Sequence, residues 1–156
     1  MATNNASNNR YPSGILIGTS NVLMSDYNDG VAWTPTVSGS TSAGTGTYTI
    51  QVGYYSQVGN LIFATAQIVW TAHTGTGNLL VTNLPFACRN LANYNPESIV
   101  NTINIALPGG TSRTAIGSMQ ANTTIIDVQV TQNSGDNSPV ALSATGEIHI
   151  SIVYLK

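Results

Sequence analysis

The chain has 156 residues, enough for one domain with a hydrophobic core of its own. Only 6% of them are Asp, Glu, Lys or Arg while 42% are hydrophobic; an ordinary soluble domain carries about 25% charge, and a disordered chain would be poor in apolar residues. The net charge of −2, with four basic residues spread from Arg10 to Lys156, supplies no basic patch and argues against nucleic acid as a partner.

In chain order, residues 1–25 are polar and Asn-rich, broken by Pro12 and Gly14, with one apolar run at Ile15–Ile17. They read as a linker or the end of a preceding region. Met1 to Ser7 lack the basic and apolar parts of a signal peptide, and no apolar run reaches membrane-spanning length, so no membrane insertion is expected. Residues 26–156 form the expected β-domain. Asp26 to Gly30 reads as a turn stabilised by Asp and Asn side chains. From Trp33 onward the period is two. Strands are predicted at 47–52 and 54–58 with a bulge or bend at Gly53, then at 60–71, 79–82, 98–106, 114–119, 124–131 and 146–154. Turn clusters separate them at 39–46, 74–78, 108–110 and 133–138. No helical periodicity intervenes, which points to an antiparallel sandwich or barrel.

The 60–71 strand is the most informative. Ile62, Ala64, Ala66, Ile68 and Trp70 make one apolar row, the natural core face. Leu61, Phe63, Thr65, Gln67 and Val69 make the other, and it is too apolar for open water. A second subunit or a third layer of the same chain would cover it, and the second subunit is preferred. Thr, Ser, Asn and Gly dominate the polar residues, and they lose less rotamer entropy on burial than Lys or Glu. Such a surface suits self-association, and it also suits hydrogen bonding to sugars. Leu61, Phe63 and Val69 are therefore the candidate interface residues. In the last strand Ile148, Ile150, Ile152 and Tyr154 share one face, and Glu147, His149, Ser151, Val153 and Leu155 the other.

Little remains for catalysis. There are six carboxylates and two histidines. Asp26 and Asp29 fail the calcium-loop register, because Gly30 stands fifth and Val37 occupies the place of the bidentate Glu. Asp127 and Glu147 lie in predicted strands and would form a glycosidase-like pair only if they were neighbours. His73 and His149 have no ligand at metal spacing. The lone Cys88 excludes an intrachain disulfide and reads as a small buried hydrophobe. No enzyme, cofactor or metal is expected. For sugar stacking the candidates are Tyr54, Tyr55 and, in the 90–96 loop, Tyr94 flanked by Asn93 and Asn95; Trp70 and Tyr154, which could also stack, are assigned to the core.

Two segments carry a family resemblance. Residues 25–37, Ser25-Asp26-Tyr27-Asn28-Asp29-Gly30-Val31-Ala32-Trp33-Thr34-Pro35-Thr36-Val37, resemble the Asp-Tyr-Glu-Glu-Gly-Thr-Trp-Thr-Pro segment of bacteriophage tail-fibre and tailspike terminal domains. Asn28 and Asp29 replace the usual acids, and one extra residue precedes Trp33. Tyr48-Thr49-Ile50-Gln51-Val52-Gly53-Tyr54-Tyr55-Ser56-Gln57-Val58-Gly59 resembles that family's Tyr-Thr-x-Gln-x-Gly-x-Tyr-x-x-x-Gly motif, and Trp70, Gly75–Gly77 and Leu84-Pro85-Phe86 follow in the expected order. The match covers residues 25–90, with 146–154 weaker and 91–145 variable. It implies a jelly-roll-like β-sandwich, a homotrimer on a fibre axis, and attachment to a host-surface polysaccharide or glycan. The place implied is the tip of a virion fibre, made in the host cytoplasm. A structural trimerisation cap without a ligand is the alternative. No binding residue transfers, because the family's variable loops carry that role.

Overall fold

The computed structural model describes residues 15–17, 22–24, 26–109, 114–131 and 137–156. Among them there is strand but no helix. Most of the 1–25 segment lies outside the described residues; within it β1 (Ile15–Ile17) and β2 (Val22–Met24) form an antiparallel pair. The remaining strands are β3 (Tyr27–Trp33), β4 (Thr36–Gly39), β5 (Gly46–Val58), β6 (Leu61–His73), β7 (Leu79–Thr82), β8 (Glu97–Ile103), β9 (Ala115–Met119), β10 (Ile126–Thr131), β11 (Asn137–Pro139) and β12 (Gly146–Leu155). They make one antiparallel sheet in the order β3-β5-β6-β12-β8-β9-β10-β7-β4, with β11 on β10.

The central hairpin follows from its residues. β5 and β6 pair along most of their length, and Val58 meets Leu61 across a two-residue turn. Gly59 fills the first turn position at φ 59°, where a II′ turn needs glycine because L side chains clash there. β5 is a single strand, not the two expected. Its pairing is regular at Gly53, opposite Ala66, and the shifts fall at Thr47/Tyr48 and Tyr48/Ile50 instead. Gly53 has a different reason. It pairs with Trp33 of β3, and the Trp33 indole occupies the place where a Cβ would project.

Alternate residues of the sheet face one core. Ile62, Ile68 and Trp70 of β6 meet Ile148 and Tyr154 of β12, Val128 of β10, Val81 of β7 and Val37 of β4 in a single buried cluster. Strands from the whole width of the sheet reach that cluster, so the sheet curls around it. The β4 end of the sheet comes back against β5 and β6 at a seam closed by side chains. The Tyr48 hydroxyl donates to the Val37 carbonyl and accepts from the Val37 N–H, both at 3.2 Å. Gln51 Nε2 donates to the Pro35 carbonyl at 2.9 Å. His73 completes the seam: its Nδ1 accepts the Gly75 N–H at 2.9 Å, so Nε2 carries the proton and donates to Val37 O at 3.1 Å. These bonds satisfy backbone groups on the β4 edge that would otherwise invite another strand.

The β3 edge is blunted differently. Of the Asp26–Gly30 stretch, expected to be a turn, Tyr27 to Gly30 belong to strand β3, whose register on β5 shifts between Asn28 and Val31. Gly30 takes φ 61° at that irregularity. Asn28 donates to Gln57 Oε1 at 2.9 Å, and Ser56 Oγ donates to Asp29 Oδ1 at 3.3 Å. A short strand also stands within the 133–138 turn cluster, since β11 begins at Asn137.

Candidate functional site

The outward face of β5, β6, β12 and β8 is the largest chemical anomaly of the molecule. Residues paired across neighbouring strands share a face. Val58 lies beside Leu61, Ser56 beside Phe63, and Phe63 beside Val153. Ser151 follows Thr65 and is itself flanked by Ile99. At the other end Ile50 pairs with Val69, Val69 with Glu147, and Glu147 with Ile103. None of the large apolar side chains in the first rows is covered: Leu61 is 46% exposed, Phe63 48%, Val153 48%, Tyr54 52% and Ile99 78%. Scattered exposed hydrophobics are ordinary, but a contiguous patch marks an interaction surface.

A polar island stands inside this patch. Gln67 Nε2 donates to Glu147 Oε1 at 2.9 Å, and His149 Nε2 donates to the same oxygen at 2.7 Å. These two hydrogen bonds hold the Glu147 carboxyl below its usual range, the His149 bond contributing most. Between Tyr54, Thr65, Gln67 and His149 lies a shallow depression of about 290 Å³, and a second of about 260 Å³ runs past Val69, Asn104 and Glu147.

The residues expected from sequence divide into two groups. Leu61, Phe63 and Val69 all lie on this outward face, the first two exposed and Val69 half-buried. Among the described residues no third layer of the chain covers them. Apart from Tyr54, the sugar-stacking candidates lie elsewhere. Tyr94 packs against the core cluster, and its hydroxyl accepts the Leu155 N–H at 2.8 Å. Tyr55 also packs on the core, meeting Phe86 edge-to-face with centroids 5.4 Å apart. Asn93 and Asn95 are exposed in the connecting loop, and Asn93 adopts φ 59°, a conformation asparagine tolerates in turns. Trp70 and Tyr154 are fully buried.

Ile99, Ile103 and Val153 join the face although they are not among the interface candidates, and so does Tyr54, which the sequence offers only for sugar stacking. Alternation alone exposes Ile99 and Ile103, because Val100 between them is buried. That β8 lies beside β12, however, is a pairing of distant segments that periodicity cannot reveal.

The carboxylates do not form a catalytic pair. Asp127 is on β10 and Glu147 on β12, with β9 and β8 between them. Three strand spacings of about 4.8 Å separate them by roughly 14 Å across the strands alone, and the pairing register offsets them by about six residues along the strands as well, beyond the ~5–9.5 Å of glycosidase carboxylates. Partial burial between strands raises the Asp127 carboxyl above its usual range. Asp26 is engaged by Lys156 Nζ at 3.2 Å. Among the described residues no group of three His, Cys, Asp or Glu side chains could hold a metal ion. Cys88 is buried, and burial pushes its thiol up.

No protein-family model matches the chain, and no curated protein matches its sequence.

Proposed function

We propose that the chain is a trimer-forming terminal module of a bacteriophage tail fibre or tailspike, non-catalytic, which holds three fibre chains together and attaches to host-surface glycan. In this reading the curled sheet is a jelly-roll-like sandwich. The observation that carries the proposal is the uncovered apolar face of β5, β6, β12 and β8, with Ile99 78% exposed and Phe63 48%. A face with this much apolar surface seeks a cover, and copies of the same chain supply one at matched concentration. The tail-fibre part of the reading rests on the resemblance of residues 25–37 and 48–59 to that family.

A second reading keeps the trimer and removes the ligand. It is favoured by Tyr94 and Tyr55, whose rings serve core packing and whose stacking faces are correspondingly engaged. Two measurements test and separate the readings. Light scattering of the purified chain at micromolar concentration should give three times the chain mass; a monomer contradicts both. Binding to an array of bacterial surface polysaccharides supports attachment, and its absence from a trimer leaves the structural cap.

A further inference from the structure

The uncovered face carries Leu61, Phe63, Val153 and Ile99 toward one end, and toward the other Glu147, His149 and Gln67 form the hydrogen-bonded island beside Ile50, Val69 and Ile103. An isolated carboxylate is a poor group to place inside an interface, because desolvation disfavours its charge. This one stays charged, since the bonds from His149 and Gln67 hold it ionised. Its fate on burial therefore depends on whether His149, two residues along β12 and 2.7 Å away, carries a proton.

We propose that self-association through this face takes up a proton at the Glu147–His149 pair, so that the assembly tightens as pH falls through the histidine range. The inference rests on the self-association reading and names its regulation. The occupant is further copies of this chain. The four-strand face covers roughly 500 Å² of sheet at ~4.8 Å between strands and ~3.4 Å per residue, within a factor of two of the about 800 Å² per partner of a standard interface. The patch offers a partner of opposite charge little to read: of its two carboxylates, Glu147 is already hydrogen-bonded within the island and Glu97 lies apart at the far end of β8.

The pair's neighbours leave the matter to the pair alone. From β6 it meets Gln67, Thr65 and Val69; from β8, Asn101 lies opposite His149 and Ile103 opposite Glu147. All are uncharged. Asn104, Thr71 and Thr145 approach Glu147 from the strand ends, and they too are uncharged. The remaining titratable groups of this face are Tyr54 on β5, across the shared depression from His149, and Glu97 at the far end of β8. In the free chain the His149 side chain is 41% exposed and that of Glu147 24%, so water screens the carboxylate whether or not the imidazole is charged. Assembly removes that water. Protonated His149 then neutralises Glu147, whereas neutral His149 leaves a buried anion. The assembled state binds the proton more tightly than the free chain, and by linkage association strengthens toward acid.

The test is sedimentation equilibrium of the full chain between about pH 5.5 and 8.5, the span in which histidine changes charge. Wild type is compared with His149→Gln and Glu147→Gln, and folding is checked by circular dichroism. The wild-type dissociation constant should rise at least about tenfold from the acid to the alkaline end. In His149→Gln, which keeps a donor but no titratable group, the constant should be flat across the range. Glu147→Gln should also flatten it, by removing the anion. An assembly whose constant is independent of pH overturns this inference and leaves self-association standing, as does an undiminished pH dependence in His149→Gln. A monomer at every pH overturns both.

Discussion

At the scale of single residues, the fold depends on a few close approaches that only particular side chains permit. Gly53 is the clearest, because the Trp33 indole fills its Cβ position. Gly53→Ala should cost about 1–3 kcal/mol through overpacking, read as a lower urea midpoint with unchanged slope. Tyr154 makes the second such contact. Its buried hydroxyl donates to the Phe86 carbonyl at 3.1 Å and accepts the Phe86 N–H at 3.2 Å, fixing the 84–86 turn on the core. Burial pushes its phenol up to about 12. Folding therefore holds that proton more tightly than the unfolded chain does. The stability from the neutral phenol is complete below about pH 10, the ordinary tyrosine value, and is lost as pH rises through about 12. Tyr154→Phe should lower stability by about 1–3 kcal/mol at neutral pH, by stranding both Phe86 backbone groups, and should flatten the decline above pH 10. Alkaline titration of unfolding for the two proteins checks both effects. Glycine at 53 was visible in the sequence as a special position, but its reason was not. A bulge and a contact from a distant tryptophan leave the same mark on one residue.

At the scale of elements, period-two alternation located the long strands well. Ile62, Ile68 and Trp70 on one side of β6 and Leu61 and Phe63 on the other divide into buried and exposed as alternation requires. β3 and β4 were harder to read. Asp26 to Gly30 has the composition of a turn, and Pro35 interrupts the run, yet pairing with β5 draws Tyr27–Trp33 into the sheet. Tertiary pairing overrode local propensity there. The seam between β4 and β5 was likewise out of reach, because Tyr48 and His73 bond a backbone brought near only by the curl. Tyr48→Phe removes the only side-chain acceptor seen for the Val37 N–H among the described residues, while His73 still serves the Val37 carbonyl. The expected result is a loss of about 1–3 kcal/mol, concentrated at the seam. Hydrogen exchange should show faster amide exchange at Val37 and across β4 than in the rest of the core.

At the scale of the whole molecule, the scarcity of charge and the uncovered face belong together. With 6% charged residues, the surface offers little to resist close approach of another copy, and its Ser, Thr and Gly side chains lose little entropy when ordered. The candidate face was partly legible. Leu61 and Phe63 announced it from β6, but its full extent needed the order β5-β6-β12-β8, which joins β6 to a strand about eighty residues away along the chain, as in the Gln67–Glu147 bond. The candidate sugar-binding loop was less legible still, since loop position could not reveal that Tyr94 folds back onto Leu155.

The central claim is that this face is where copies of the chain meet. It is tested most directly by sedimentation equilibrium of wild type beside Phe63→Asp, with circular dichroism reporting folding. Phe63 is 48% exposed in the single chain, so the substitution places a carboxylate in water and leaves the fold intact, while making association through the face unfavourable. Wild type should sediment at three times the 16.3 kDa chain mass and Phe63→Asp, folded, at one chain mass. A monomeric wild type, or a folded Phe63→Asp that still assembles as wild type does, would contradict the claim.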